Sequence, residues 1–419
     1  MDAAVTTLTY ALLGIGAGTV TGLIPGLHVN SVAFGAVGVA THLPGPPGAV
    51  VAAILAAGVV HTFLSIVPGL VLGVPDAATA PGALPGHRLV LAGRGRETIR
   101  LSALGSGIAL VAAVVVAVPL AGLIGAGRRW LLAALPALLA LVAALLILAE
   151  PTRRRRLGGL CCLCAATLLG LLTLDLPASG PVSPSGAASM LAPLFGGLFG
   201  APILLDALDV RGAIPPQDGT RLGLSRSETL RAALSGVGGG ALVGYLPGVS
   251  AGVAAVLALG GAGGSGPAGR GSDRAYVVAT SGADTATAVF SVASLVVLGA
   301  PRSGVTVAAQ ALLTDGNGDF ALAVADTVVL FATLVVAAAV GVVLLVTLGE
   351  WYLGAVRRLP RRPLVVSVLC LLAALSVGFA GVLGGAVFCL ATLLGLVPPR
   401  VGARRVHLMG VLFGPIILG

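Results

Sequence analysis

Apolar runs long enough to cross a bilayer recur from one end of this chain to the other, and that continuity constrains the fold more than any motif. A hydrocarbon layer of ~30 Å asks for about 20 apolar residues per helix, and within it only helices and closed barrels satisfy their own backbone groups. The runs here are continuous and do not alternate, which excludes a barrel. Composition agrees: of 419 residues 9% are charged and 57% hydrophobic, with a mean hydropathy of +1.08, which no ordinary soluble domain could carry on its surface. The chain therefore reads as an all-α polytopic membrane protein of about 10–14 membrane segments.

The formal net charge of +9 would point to nucleic acid in a soluble protein. Here every basic residue is arginine and most stand in short loops between apolar runs, so the charge reads as topology. Arg153 to Arg156, Arg357, Arg358, Arg361, Arg362, Arg400, Arg404 and Arg405 fit loops held on the cytoplasmic side of the plasma membrane. No nucleic-acid partner is expected. Cys161, Cys162 and Cys164 share one apolar segment and behave as small hydrophobes, so neither a disulfide framework nor a metal site is expected. The first arginine is Arg88, and residues 1–24 lack the basic start of a signal peptide.

Within this background Gly22-Leu23-Ile24-Pro25-Gly26-Leu27-His28-Val29-Asn30-Ser31 puts a Pro-Gly break and several polar groups inside an apolar run. It has a twin. A shift of 222 positions lays Gly14, Gly16, Gly18, Gly22, Pro25, Gly26 and Gly38 onto Gly236, Gly238, Gly240, Gly244, Pro247, Gly248 and Gly260. A second landmark, Leu72-Gly73-Val74-Pro75-Asp76, returns after 226 positions as Leu298-Gly299-Ala300-Pro301-Arg302. Two landmarks in one order imply a duplication: repeat 1 over 1–205, a charged cytoplasmic linker over 206–231, and repeat 2 over 232–419. Counted along the sequence, each half crosses the membrane an odd number of times, so the second copy is expected to enter from the opposite face. That is the inverted-repeat plan of secondary transporters, with the substrate at mid-bilayer where the repeats meet. Separate crossings are expected at 101–125 and 130–149, and again at 364–381 and 382–398, with a discontinuous segment over 76–91.

A break inside a membrane helix frees N–H groups at one half-helix start, which attract anions, and carbonyls at the other half-helix end, which attract cations. Two such breaks offer room for a carboxylate and its coupling cation. The substrate residues expected on this ground are Pro25, Gly26, His28, Asn30 and Ser31 in one copy and Pro247, Gly248 and Ser250 in the other, with Arg302 and Ser303 near the second landmark. Asp284, in a polar run with Ser281 and Thr285, is expensive at membrane depth unless paired, hydrated or bound to a cation. It is the first candidate for Na⁺ or H⁺ coupling, with Asp76 beside the first landmark. The plainer reading makes Asp284 a helix cap at the interface. His61, midway along an apolar run, could relay protons or be a satisfied core histidine. No Ser-His-Asp set, H-E-x-x-H pair or phosphate loop occurs, so an enzyme is the weaker alternative, as is a channel or scaffold without coupled transport. Apart from the transported ion no cofactor is expected.

The paired G-x-x-P-G motifs, the LGVP and LGAP landmarks and Pro85-Gly86-His87-Arg88 together resemble the large membrane permease subunit of the tripartite tricarboxylate transporters, more closely the shorter stand-alone branch found among archaea. The likeness runs from about residue 11 to 315. It implies a carrier for carboxylates such as citrate, driven by an ion gradient, served in bacteria by a small membrane subunit and an extracytoplasmic binding protein. It also implies an elevator-like movement of the motif-bearing segments against a scaffold. The surroundings expected for the chain are a lipid bilayer, a small carboxylate solute, those two subunits and a second copy in a homodimer.

Overall fold

Stretches rich in Ala, Val, Leu and Gly, with charges only near their ends, form helices because lipid offers their backbone groups no other partner. The structure, a computed structural model, describes residues 3–25, 29, 33, 45–73, 83–181, 183–188, 190–208, 214–217, 222–245, 269–314 and 324–418. The first half begins with α1 (Ala3–Gly22) and α2 (Pro47–Leu72), which opens on proline where the missing N–H would be unused anyway. A short α3 (Ala83–Leu91) leads into the long α4 (Gly95–Leu148) and then α5 (Arg153–Thr173), whose first turn is capped by Thr152. An antiparallel pair, β1 (Ala178–Gly180) and β2 (Ser183–Ala188), matches Gly180 with Ser183. After it come α6 (Leu191–Phe195), a π turn (Gly196–Gly200) and α7 (Ala201–Leu208).

The second half runs through α8 (Arg226–Tyr245), α9 (Gly269–Leu298), α10 (Gly304–Leu313), α11 (Val324–Val356), α12 (Arg361–Gly395) and α13 (Val397–Val401). A 3₁₀ turn (Arg405–Met409) and α14 (Gly410–Leu418) close it. Among the described residues seven helices are long and apolar enough to cross a membrane: Ala4–Gly22, Pro47–Leu72, Gly95–Gly127, Arg153–Thr173, Asp273–Leu298, Asp326–Val356 and Arg362–Val401. Shorter apolar helices accompany them at Ala133–Leu148, Leu191–Asp206, Gly304–Leu313 and Arg405–Leu418. The chain is a multi-pass helical membrane protein.

The sequence expectations are refined in detail. Residues 101–125 and 130–149 belong to one helix, so Arg128 and Arg129 lie inside α4 and not in a loop. At ~1.5 Å per residue α4 is about 80 Å long, well over twice the hydrocarbon thickness, and it links two separate cores. The expected boundary between 364–381 and 382–398 is met: α12 runs on to Gly395 but is broken by non-helical backbone at Ala380 and Gly381, the latter at φ 66°, so that two helices meet there. The bend seats the β pair: a side chain on Gly381 would stand 2.6 Å from Ser179 O, and one on Gly180 would strike Gly378 O. That short pair was not expected from the apolar pattern. In the 76–91 stretch, residues 83–91 are helical with Pro85 in the first turn, while 74–82 lie outside the described residues.

The first core gathers α1, α2, the first half of α4, α8, α9, α10 and α11 around Val60, Leu64, Val67, Ala113, Phe290, Ala293 and Leu334. The second gathers the later part of α4 with α5, α6, the π turn, α12, the 3₁₀ turn and α14 around Leu139, Leu146, Leu194, Leu198, Met409 and Phe413, and Tyr276 of α9 reaches into it. At its edge Glu150 accepts from Arg404 Nε at 2.9 Å and meets His407 Nε2 at 3.0 Å, which fastens the α4–α5 turn to the C-terminal elements. Burial alone would raise the Glu150 carboxyl, but its hydrogen bonds to His407 and Arg404, with the charge of Arg404, hold it below the ordinary 4.5.

Candidate functional site

The glycines shared by the two halves do the same work in each. A Cβ on Gly14 or Gly18 of α1 would strike the backbone of Ala53 or Ala57 of α2, and one on Gly22 would meet Leu64 Cβ at 2.8 Å. In the second half Gly236, Gly240 and Gly244 of α8 meet Ala279, Ala283 and Phe290 of α9. Every contact on the first helix shifts by 222 and on the second by 226, the same two offsets that the landmarks carry in the sequence. The intervening Gly16 and Gly238 both face open space. Such stripes of small residues let helix backbones touch in lipid.

The second landmarks also correspond. α2 ends at Gly73 with φ 74° and α9 at Gly299 with φ 59°, and their N–H groups donate to Gly69 O at 3.1 Å and Leu295 O at 3.0 Å. A left-handed glycine followed by proline is how a helix stops, so LGVP and LGAP are helix ends.

Contacts rise together along both members of each pair, Gly14 to Gly22 with Ala53 to Leu64 and Gly236 to Gly244 with Ala279 to Phe290, so α1 is parallel to α2 and α8 to α9. Gly45, just before α2, lies back beside Thr6 and Tyr10 of α1. The chain has thus returned to the N-terminal end of α1 before α2 begins. The halves then pack crosswise. Val305 of α10 fills the space over Gly58 of α2, and Phe63 of α2 lies on Gly341 of α11. On the other side Gly105 of α4 lies against Val278 of α9, and Arg88 of α3 pairs with Asp273 at 2.7 Å. Glu97 at the start of α4, fully buried, holds Arg274 of α9 at 2.5 Å and also accepts from Gly223 N–H at 2.6 Å and Arg94 at 3.0 Å. Gln217 of the linker accepts from Gly95 N–H at 2.6 Å and donates to Val90 O at 3.1 Å.

The expected site residues fall into three groups. Gly26, His28, Asn30, Ser31, Asp76, Pro247, Gly248 and Ser250 lie outside the described residues. Pro25 is buried one step past the last turn of α1, where Ile24 N–H still reaches Thr21 O at 3.2 Å. Ser303 caps α10 in a reciprocal box with Thr306, whose hydroxyl also accepts from Arg302 N–H at 2.9 Å. Ser281, Asp284 and Thr285 are buried together midway along α9. Ser281 faces α4 and shares a hydrogen bond with Ser102 at 2.8 Å, while Ser106 donates to its carbonyl at 3.3 Å. Asp284 stands two turns beyond Val277, on the flank of α9 that Gly86 of α3 approaches. It is therefore a mid-helix carboxylate and not an end cap.

Two further residues border the breaks. Tyr245, the last residue of α8, is buried, leans on Phe290 at 5.6 Å and donates to Ala117 O of α4 at 3.0 Å, which anchors the approach to Pro247. His61 is fully buried on α2, with Nδ1 3.1 Å from Thr21 Oγ1, four residues before Pro25. Polarity inside an apolar run flags both, but their partners are too distant in sequence to be read there.

The family model described as "Tripartite tricarboxylate transporter TctA family" matches residues 8–410. An uncharacterized protein of Methanocaldococcus jannaschii is 36% identical over 115 residues, which cover 26% of this chain and 27% of that protein. No solved structure matches.

Proposed function

Because the chain belongs to the tripartite tricarboxylate transporter TctA family, a family of membrane transport proteins, we propose that it is the permease of a secondary carrier that moves a small organic anion, a di- or tricarboxylate, coupled to an Na⁺ or H⁺ gradient. The observation that carries this reading is the direction of the duplicated helix pairs. Glu97 joins the start of α9 to the start of α4, and Gly349 of α11 contacts both Ile99 of α4 and Val67 near the end of α2. The end of α2 and the beginning of α9 therefore share one side, which supports two repeats entering from opposite faces with their breaks directed inward. In this reading Pro25, Gly26, His28, Asn30 and Ser31 receive the anion with Pro247, Gly248, Ser250 and Arg302, and Asp284, Ser281 and Thr285 receive the cation.

In this reading the motif-bearing body moves against a body built on α5, α12 and α14, with α4 and Tyr276 of α9 shared between the two cores. Tripartite systems of this family include further subunits, so a small membrane subunit and an extracytoplasmic binding protein are the expected partners in the plasma membrane. Proteoliposome uptake of labelled citrate, succinate and malate under Na⁺ or pH gradients tests the proposal. Accumulation under one gradient is expected, and no uptake of any of them under either gradient overturns it. Gly26→Leu and Gly248→Leu should abolish uptake in folded protein, because a side chain would occupy the space the anion needs.

A further inference from the structure

The first turn of α5 is made of arginines, Arg153 to Arg156, all of them exposed. No acidic residue stands in that turn, and the positive end of a helix dipole is the place least suited to such a charge. Packing brings more of the same sign to it. A Cβ on Gly158 would stand 2.9 Å from Val401 Cγ2, and one on Gly402 would stand 3.6 Å from Arg155 Nε, so the end of α13 lies against the start of α5. That end carries Arg400, also exposed, whose charge acts on Arg405 of the 3₁₀ turn. The carboxylates nearby are already engaged: Glu150 by Arg404 and His407, and Asp206 of α7 by Arg405 at 2.7 Å. Among the described residues no carboxylate pairs with Arg153, Arg154, Arg155 or Arg400, and Arg400 reaches only the Leu396 carbonyl of its own helix. Like charges from two segments far apart in sequence thus converge with no anion among them, and an anion bound there relieves their repulsion.

The surface beside these arginines says what kind of anion fits. On α5, Arg153, Leu157 and Leu160 follow one another at helical spacing along one face, and all three are exposed. On the apolar run through α12 and α13, Leu390, Leu393, Val397 and Arg400 do the same, with the arginine again at the end. Both stripes therefore offer a cation at the membrane edge and bare leucine below it. A water-soluble anion would use the cations and leave the leucines uncovered, whereas a phospholipid uses both, its phosphate among the arginines and its acyl chains along the apolar stripes. The positive-inside rule accounts for the sign of these residues but not for their convergence; Arg357 and Arg358, at the end of α11, obey it as well.

We propose that the junction of α5 and α13 is a binding site for an anionic phospholipid of the cytoplasmic leaflet, with Arg155 and Arg400 against the phosphate and Arg153 and Arg154 adding to the field around it. The site stands on the second core, so a bound lipid holds that body in its leaflet, and it does not depend on which solute the chain carries. The full chain, purified in detergent, is titrated with phosphatidylglycerol and separately with phosphatidylcholine of the same acyl chains, and bound lipid is counted by native mass spectrometry alongside the melting temperature. Phosphatidylglycerol should stay bound and raise the melting temperature, phosphatidylcholine should do neither, and about 0.5 M salt should weaken the effect. Arg155→Gln and Arg400→Gln should each weaken phosphatidylglycerol binding about fivefold and the double variant about 30-fold, as expected for arginines at an anionic surface. Both side chains are exposed, and melting without lipid checks that the variants are folded. The double variant Arg357→Gln/Arg358→Gln, which removes the same charge elsewhere, should bind as wild type does. Equal binding of the two lipids, undiminished binding by folded Arg155→Gln/Arg400→Gln, or an equal loss in the Arg357/Arg358 variant would each overturn the assignment. Inorganic phosphate or glycerol phosphate giving the same stabilisation as phosphatidylglycerol would overturn it in favour of a soluble anion.

Discussion

The α1/α2 pair and the α8/α9 pair meet through the same glycines at the same offsets, yet one buries a histidine and the other an aspartate. Close approach in lipid depends on the absence of side chains, so packing tolerates no variation at Gly18 or Gly240. Polar groups on the remaining faces are free to diverge, because each needs only a partner of its own. The ends differ as well. Arg274 at the start of α9 is clamped by buried Glu97, whereas its counterpart Gly48, in the first turn of α2, has nothing within 4 Å of a Cβ position. The two pairs thus share their glycine contacts and differ in their buried polar groups.

The largest test of this comparison is Glu97→Ala, which leaves Arg274 buried without its carboxylate and should cost about 3–5 kcal/mol. Limited proteolysis should then cut around 222–225 first, since Gly223 also loses its acceptor; protection there equal to wild type would show that the clamp is dispensable. Next come Gly18→Leu and Gly240→Leu, each expected to destabilise by roughly 1–3 kcal/mol through forced separation of the pair. Gly16→Leu and Gly238→Leu, which face open space, should stay within about 0.5 kcal/mol of wild type. Equal melting losses at all four positions would break the claim that the pairs pack alike.

A smaller effect separates the pairs. Thr21→Val removes the hydroxyl that hydrogen-bonds a buried histidine and should cost about 1–2 kcal/mol. Thr287→Val loses a bond made only within its own helix and should change stability by under about 0.5 kcal/mol. The smallest effect lies outside both pairs. The depressed Glu150 carboxyl contributes stability that is complete above its ordinary 4.5 and is lost as pH falls through its folded value. Melting temperature of Glu150→Gln should therefore vary less than wild type with pH below 4.5. A parallel fall in both would remove that carboxylate as a source of acid sensitivity.

Much of the scaffold was legible in the residues. Period-four glycines inside apolar runs, Gly-Pro landmarks and a repeated order of both pointed to paired helices in each half, and the contacts of Gly14, Gly22, Gly236 and Gly244 follow that reading. Element boundaries were less legible where a breaker is tolerated. Gly125 and Gly127 do not end α4, because helix is the default state of the backbone in lipid, whereas Gly381, left-handed and beside Ser179 O, does interrupt α12. That the chain is back beside the start of α1 by Gly45 was not legible in the sequence; only the contact of Gly45 with Tyr10 shows it.

Hydropathy, the arginine pattern and the two offsets belong to the linear chain, since each follows from local composition or from comparing one stretch with another. They determined a helical membrane protein with two glycine-striped helix pairs. Which helices lie side by side, that Glu97 reaches Arg274 across 177 positions and that Thr21 meets His61 across 40, was decided by tertiary packing. The physical reason is that lipid makes every apolar face equally acceptable, so hydropathy does not choose neighbours. Small-residue contacts and a few buried hydrogen bonds make that choice, and they exist only once the chain has folded.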